Sequence, residues 1–288
     1  MADPFEEYCD LEDIALRLRS ADAGERRVAV MELADSGDEA AIPLLAGALT
    51  DADAGVRRQA ALALSAFDGP ETAAALAVAL VDIEPDVASA AADSAAELKD
   101  PAAADPLLPL LAHPSAFVRL SALRALKELR RKDALGPALA ALVDLDPQVR
   151  VQAVGVIGFL KLEEAVPALR TAATDADPLV RRAAVSSLAF THAEPASETI
   201  VRALADADWM VREIAAETLN KERAGVDSVG PLLEALSDDF WQVRLKAIRS
   251  LGRLKISRAV APIGAGLAHP QANLRKEAAA ALGEIADP

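Results

Sequence analysis

One cysteine is all that 288 residues provide, and Cys9 alone excludes an intramolecular disulfide framework and any cysteine-built zinc site. Its setting, Glu-Glu-Tyr-Cys-Asp, surrounds the thiol with carboxylates that disfavour the thiolate, so no nucleophilic role is expected of it. Histidine is nearly as scarce, with three residues and no His-Glu-x-x-His pair that would hold a metal from one helix face. Aromatics make up 3% of the chain, too few for strands, which favour β-branched and aromatic side chains. No apolar run reaches the roughly 18 residues of a membrane span. The opening Met-Ala-Asp-Pro-Phe-Glu-Glu is acidic and lacks the basic-then-apolar order of a secretion signal, so the cytoplasm is the expected location and no membrane partner is expected.

What the chain has in abundance is alanine, within a hydrophobic content of 52%. Alanine has the highest helix propensity and lets helix axes approach closely, so the composition points to packed helices. The net charge is −15, and it is unevenly placed. Residues 1–100 hold 22 Asp and Glu against 7 Lys and Arg, which accounts for all of it, whereas residues 241–288 hold eight basic residues against three acidic ones. Such a gradient serves solubility, or it presents the two ends to different partners or orients one partner.

The dominant signal is an internal repeat. The motif Val-Arg-x-x-Ala places its Val position at Val56, Val87, Val118, Val149, Val180 and Val211, each 31 residues after the last. It continues at Val243, after one inserted residue, and at Leu274, and a degenerate first copy lies at Glu25. Arginine follows in every copy except the third, where Ala88 stands: Arg26, Arg57, Arg119, Arg150, Arg181, Arg212, Arg244 and Arg275. Each copy reads as two helices. Ala41–Leu49 carries a proline near its start, where a first turn tolerates one, and Pro106, Pro137, Pro167, Pro231 and Pro262 match it. In the second helix, Val149, Ala153, Val156, Ile157 and Leu160 fall on one face. Asp146-Pro147 and Asp177-Pro178 supply an N-cap acceptor followed by a first-turn proline. An aspartate sits four residues before the arginine in Asp53/Arg57, Asp146/Arg150, Asp177/Arg181 and Asp208/Arg212. Because this recurs with the fold itself, we read it as a structural ladder, each arginine pairing with a cap carboxylate of its own or a neighbouring repeat.

The pattern P-x-L-x-x-x-L-x-D-x-D-x-x-V-R-x-x-A-x-x-A-L, best seen at Pro43–Leu64, resembles the short HEAT-like repeat named for phycobilisome lyase subunits, over roughly Leu11 to Ile285. The resemblance implies an all-α fold, a right-handed α-solenoid of about nine helical hairpins with second helices lining a concave groove. Residues 1–288 would then form one solenoid domain, with residues 1–10 an acidic N-terminal segment. The last repeat ends at Asp287-Pro288 without a separate polar cap helix, which leaves open whether another chain covers it. Such repeats serve unrelated partners, so function must come from what varies between copies.

No catalytic, cofactor or metal constellation emerges. His113 and His269 occupy equivalent turn positions, each before a proline, where other copies carry aspartate, and His192 stands alone between repeats. Gly264-x-Gly266 lies within a helical segment and lacks the strand and further glycine of a phosphate loop. The expected role is a non-enzymatic scaffold for a protein partner. Two alternatives stay open: a lyase or chaperone-type subunit handling a tetrapyrrole on a client protein, on the resemblance alone, and nucleic-acid binding by the basic residues Lys246, Arg249, Arg253, Lys255, Arg258 and Lys276.

The partner-binding residues are sought in second-helix positions six and ten after the Val position. Position six runs from Asp93 and Arg124 through Gly155 and Ser186 to Glu217 and Arg249. Position ten gives Phe159 and Phe190 in neighbouring copies, then Lys221 and Arg253. The two phenylalanines form either an anchor pocket across the groove or part of the core. Trp209 and Trp241 both precede the Val position by two residues, flanked by Met210 and Phe240. Stacked copies would bring both indoles to one edge, as a docking surface or as a local staple.

Overall fold

The computed structural model describes residues 11–191, 194–219 and 228–286; Cys9, His192, Lys221 and the last two residues lie outside them. Among the described residues there are eighteen α-helices, short 3-10 turns and no strand. Backbone contacts divide the chain into two compact units, residues 1–141 and 142–288.

The first unit holds α1 (Leu11–Arg17), α2 (Ala23–Ser36), α3 (Ile42–Ala48), α4 (Ala54–Ala63), α5 (Pro70–Ala79), α6 (Pro85–Ala95), α7 (Ala104–Leu107), α8 (Ala116–Leu129) and α9 (Leu135–Ala141). The second holds α10 (Pro147–Leu160), α11 (Val166–Ala172), α12 (Pro178–Leu188), α13 (Glu194–Ala203), α14 (Trp209–Thr218), α15 (Val229–Ala235), α16 (Trp241–Arg253), α17 (Val260–Ala265) and α18 (Ala272–Ala286). Within the first unit α1, α3, α5 and α7 each pack against the following even-numbered helix as a hairpin, and within the second unit α11, α13, α15 and α17 do the same. Even-numbered helices pack against each other in series, α2–α4–α6–α8 in one unit and α10–α12–α14–α16–α18 in the other.

The helix starts follow the sequence pattern. Asp53 Oδ1 accepts the Val56 N–H at 3.0 Å, and Asp146, Asp177 and Asp208 each accept the N–H two residues on at 2.8 Å. Pro43, Pro167 and Pro262 fall in the first turns of α3, α11 and α17, where the missing N–H has no intrahelical partner to lose.

Close approach of the even-numbered helices depends on small residues. Ala29, Ala60, Ala91, Ala122, Ala153, Ala184, Ala215, Ala247 and Ala278 are all fully buried, and all stand four residues after the Val position. Two glycines go further. A Cβ on Gly158 would lie 2.3 Å from Ser187 Oγ, and one on Gly252 would lie 2.8 Å from Ala281 Cα. Gly158→Ala is therefore expected to lose about 1–3 kcal/mol by overpacking α10 against α12. Gly283→Ala in α18, where nothing lies within 4 Å, should gain up to about 1 kcal/mol from helix propensity. Urea unfolding of the pair would reveal the opposite signs.

Candidate partner-binding surface

The arginines after the Val position are consumed by the fold. Arg57 Nη1 donates to the backbone carbonyls of Asp51 and Ala52 in its own turn, at 2.9 and 3.4 Å, while Nε and Nη2 fork onto Asp82 at 2.7 and 3.0 Å. The same pattern joins Arg26 to Asp51, Arg150 to Asp175, Arg181 to Asp206 and Arg212 to Asp238. Each receiving aspartate also accepts the N–H two residues on, as Asp206 does from Asp208 at 2.8 Å. One side chain thus ties its own turn to the next hairpin's turn, with bidentate geometry on the carboxylate.

The partner lies in a neighbouring repeat, one of the two places expected from sequence, but it is not the cap carboxylate. Asp53, Asp146, Asp177 and Asp208 do not bind the arginines four residues on; their carboxylates are occupied as helix N-caps. The forked partners stand 25 or 26 residues ahead, because stacking brings the following turn alongside. The arginines hold Asp51, Asp82 and Asp175 below the ordinary carboxylate pKa. For Asp206 and Asp238 burial pushes upward most strongly, yet hydrogen bonds from Arg181 and Arg212, with those from backbone N–H groups, leave the net direction downward.

Arg244 meets His269 instead of an aspartate, its Nη2 lying 2.8 Å from Nε2, while Nδ1 faces the Gln271 N–H at 3.0 Å. A neutral imidazole has one acceptor nitrogen, so two donors compete for it. His269→Asp should satisfy both and stabilise the α16–α18 junction by about 1–3 kcal/mol; an unchanged thermal midpoint would count against this account.

The aromatic residues sort differently from the sequence expectation. Trp209 stacks on Phe240, with ring centroids 5.2 Å apart and planes 10° from parallel, and the Arg212 guanidinium lies 5.8 Å from the Phe240 centroid. Trp241 instead lines a pocket of about 300 Å³ with Glu213, Gln242, Lys246, Arg249 and Lys276. Gln242 Oε1 is itself buried and accepts no hydrogen bond, the lone such side-chain atom among the described residues. Met210 is half-buried and donates its N–H to Asp208. Phe159 is half-buried, whereas Phe190 is 58% exposed with Lys161 Nζ 5.2 Å over its ring.

The charged candidates are mostly paired across neighbouring helices. Arg124 meets Asp93 at 3.1 Å, Lys246 meets Glu217 at 2.6 Å, and Arg249 forks onto Glu277 at 2.7 and 2.8 Å. Arg253 is exposed. Sequence reasoning missed Gln242, which nothing in the repeat distinguishes from an ordinary solvent-facing position.

Among the described residues there is no cluster of three or more metal-capable side chains, and no helix is long and apolar enough to cross a membrane. Paired helices stacked in series define the class: an α-solenoid. A model of HEAT repeats matches residues 11–92, 136–220 and 229–288, and the chain belongs to the HEAT-repeat family. No curated protein matches the sequence. Its fold is similar to the X-ray structure of the Escherichia coli protein YibA, with a TM-score of 0.61 and 16% identity over 94% of this chain and 100% of that one. It is also similar to the crystal structure of an engineered protein, with a TM-score of 0.50 and 21% identity over 96% and 88% of the two chains. At these identities the likeness concerns the fold alone.

Proposed function

We propose that the chain is a non-enzymatic scaffold, and that the surface formed by Trp209, Phe240 and the Trp241 pocket holds a protein partner. The observation that carries this reading is Phe240. It occupies the N-cap of α16, a position filled by aspartate before α4, α10, α12 and α14, and it makes no capping bond. A phenylalanine there forgoes about 1 kcal/mol of cap stability. It is instead 41% exposed, stacked on Trp209. A flat aromatic pair beside a pocket suits a partner that covers the rings. The 31-residue spacing supports placing the chain among the short HEAT-like repeats of the phycobilisome lyase type.

Phe240→Asp separates binding from folding. It restores the cap used elsewhere and removes the aromatic face, so thermal stability should be kept or raised. Affinity for a partner that co-purifies with the wild-type chain should fall at least about tenfold. Retained binding in this variant and in Trp209→Ala would overturn the reading.

A further inference from the structure

The ladder is broken once on both sides of the same junction. In α6 the arginine position is Ala88, and in the following turn the aspartate position is His113. The Arg244–His269 junction loses only its acid; here cation and acid are both gone. A guanidinium placed at residue 88 would find no carboxylate, and none is there. The space such a side chain would cross is a pocket of about 330 Å³ lined by Val81, Ile83, Ala88, His113 and Phe117, among others. That volume is near the lower end for ligand pockets, about 300–1,000 Å³, and suits one or two side chains better than an extended cofactor.

Its rim is apolar and open, with Ile83 88%, Val81 47% and Phe117 41% exposed. The charges around it are acidic or already engaged. Asp82 is bound by Arg57, and the Arg119 guanidinium donates to the carbonyls of His113 and Pro114 at 2.8 Å. Glu84 and Asp86 stand exposed at the start of α6, within the 100 residues that hold the chain's net −15. His113, which lines the pocket, has its Nδ1 engaged by the Ser115 N–H at 3.1 Å.

We propose that this gap in the ladder is a second docking site, which takes an aliphatic or aromatic side chain from a partner protein segment flanked by lysine and arginine. The apolar anchor enters beside Ala88, and the flanking cations face Glu84 and Asp86. An inserted arginine is disfavoured, since His113 offers it no carboxylate. The site lies in the first unit and is independent of the Trp209–Phe240 surface.

The test is fluorescence anisotropy with a labelled dodecapeptide carrying central Leu-Phe between Lys and Arg residues. The wild-type chain should bind it, and a Ser-Ser version or one with acidic flanks should bind at least about tenfold more weakly. Ala88→Arg with His113→Asp rebuilds the missing pair and fills the pocket, so it should keep or raise thermal stability while losing at least about tenfold in affinity. Should that variant fail to fold, Ile83→Ser removes the most exposed part of the rim and should weaken binding as well. No binding to wild type, equal binding of the Ser-Ser peptide, or undiminished binding to the rebuilt or Ile83→Ser chain would each overturn the proposal. Phe240→Asp should bind the peptide as wild type does, which separates failure here from failure at the other surface.

Discussion

Arg181→Ala is expected to destabilise the second unit by about 1–3 kcal/mol at neutral pH, the range for leaving a partly buried group without its hydrogen-bond partner. The Arg181 and Asp206 side chains are only 15% and 13% exposed, so solvent replaces the lost partner only in part. The substitution strips Asp206 of two hydrogen bonds at 2.7 and 2.8 Å and strips the carbonyls of Asp175 and Ala176 of theirs. Because each hairpin touches mainly its neighbours, the loss falls on the coupling between α12 and α14 and should broaden the urea transition. The surface pair Arg124–Asp93, 49% and 65% exposed, is the comparison: Arg124→Ala should cost less than about 1 kcal/mol. Equal effects at the two sites would show that the ladder is ornamental.

The same junctions fix the response to acid. Asp51, Asp82, Asp175, Asp206 and Asp238 have folded-state pKa values below the ordinary 3.8. A depressed carboxylate pKa contributes stability that is fully present above the unfolded value and is lost as pH falls through the folded value. Wild-type stability should therefore hold to about pH 4 and decline below it. In Arg181→Ala the downward pull on Asp206 is largely gone and burial dominates, so the gap between variant and wild type should narrow as acid protonates that carboxyl. Urea midpoints at pH 7 and pH 4 check the sign.

Val149→Asp should be more damaging, on the order of 4–5 kcal/mol or beyond, since Val149 is fully buried and a carboxylate there has no cation to meet. Hydrogen exchange should show lost protection in α10 through α12, with residues 11–107 unaffected. Val143→Asp, at a side chain 85% exposed, should be neutral.

Much of this was legible in the sequence. Helix pairs, their caps and the buried alanine register follow from local rules: an aspartate before a first-turn proline, an apolar face at helical spacing, and alanine where helices approach. The ladder's arginines were legible too, but their carboxylate partners were not. Arg57 and Asp82 are 25 residues apart, and only the stacking of one hairpin on the next brings them together. Without that offset, Ala88 and His113 read as unrelated exceptions; with it they become the two missing halves of one pair. Trp209 and Trp241 share a sequence position, yet Trp209 turns to Phe240 while Trp241 lines a pocket with Gln242 and Lys246.

The sequence by itself thus determined the helices, their order and the residues that face inward, because each rests on interactions within one or two turns of chain. The tertiary structure alone decided which turn each arginine clasps, where the clasp is missing and which aromatic rings meet, because those depend on how one hairpin is seated on the next.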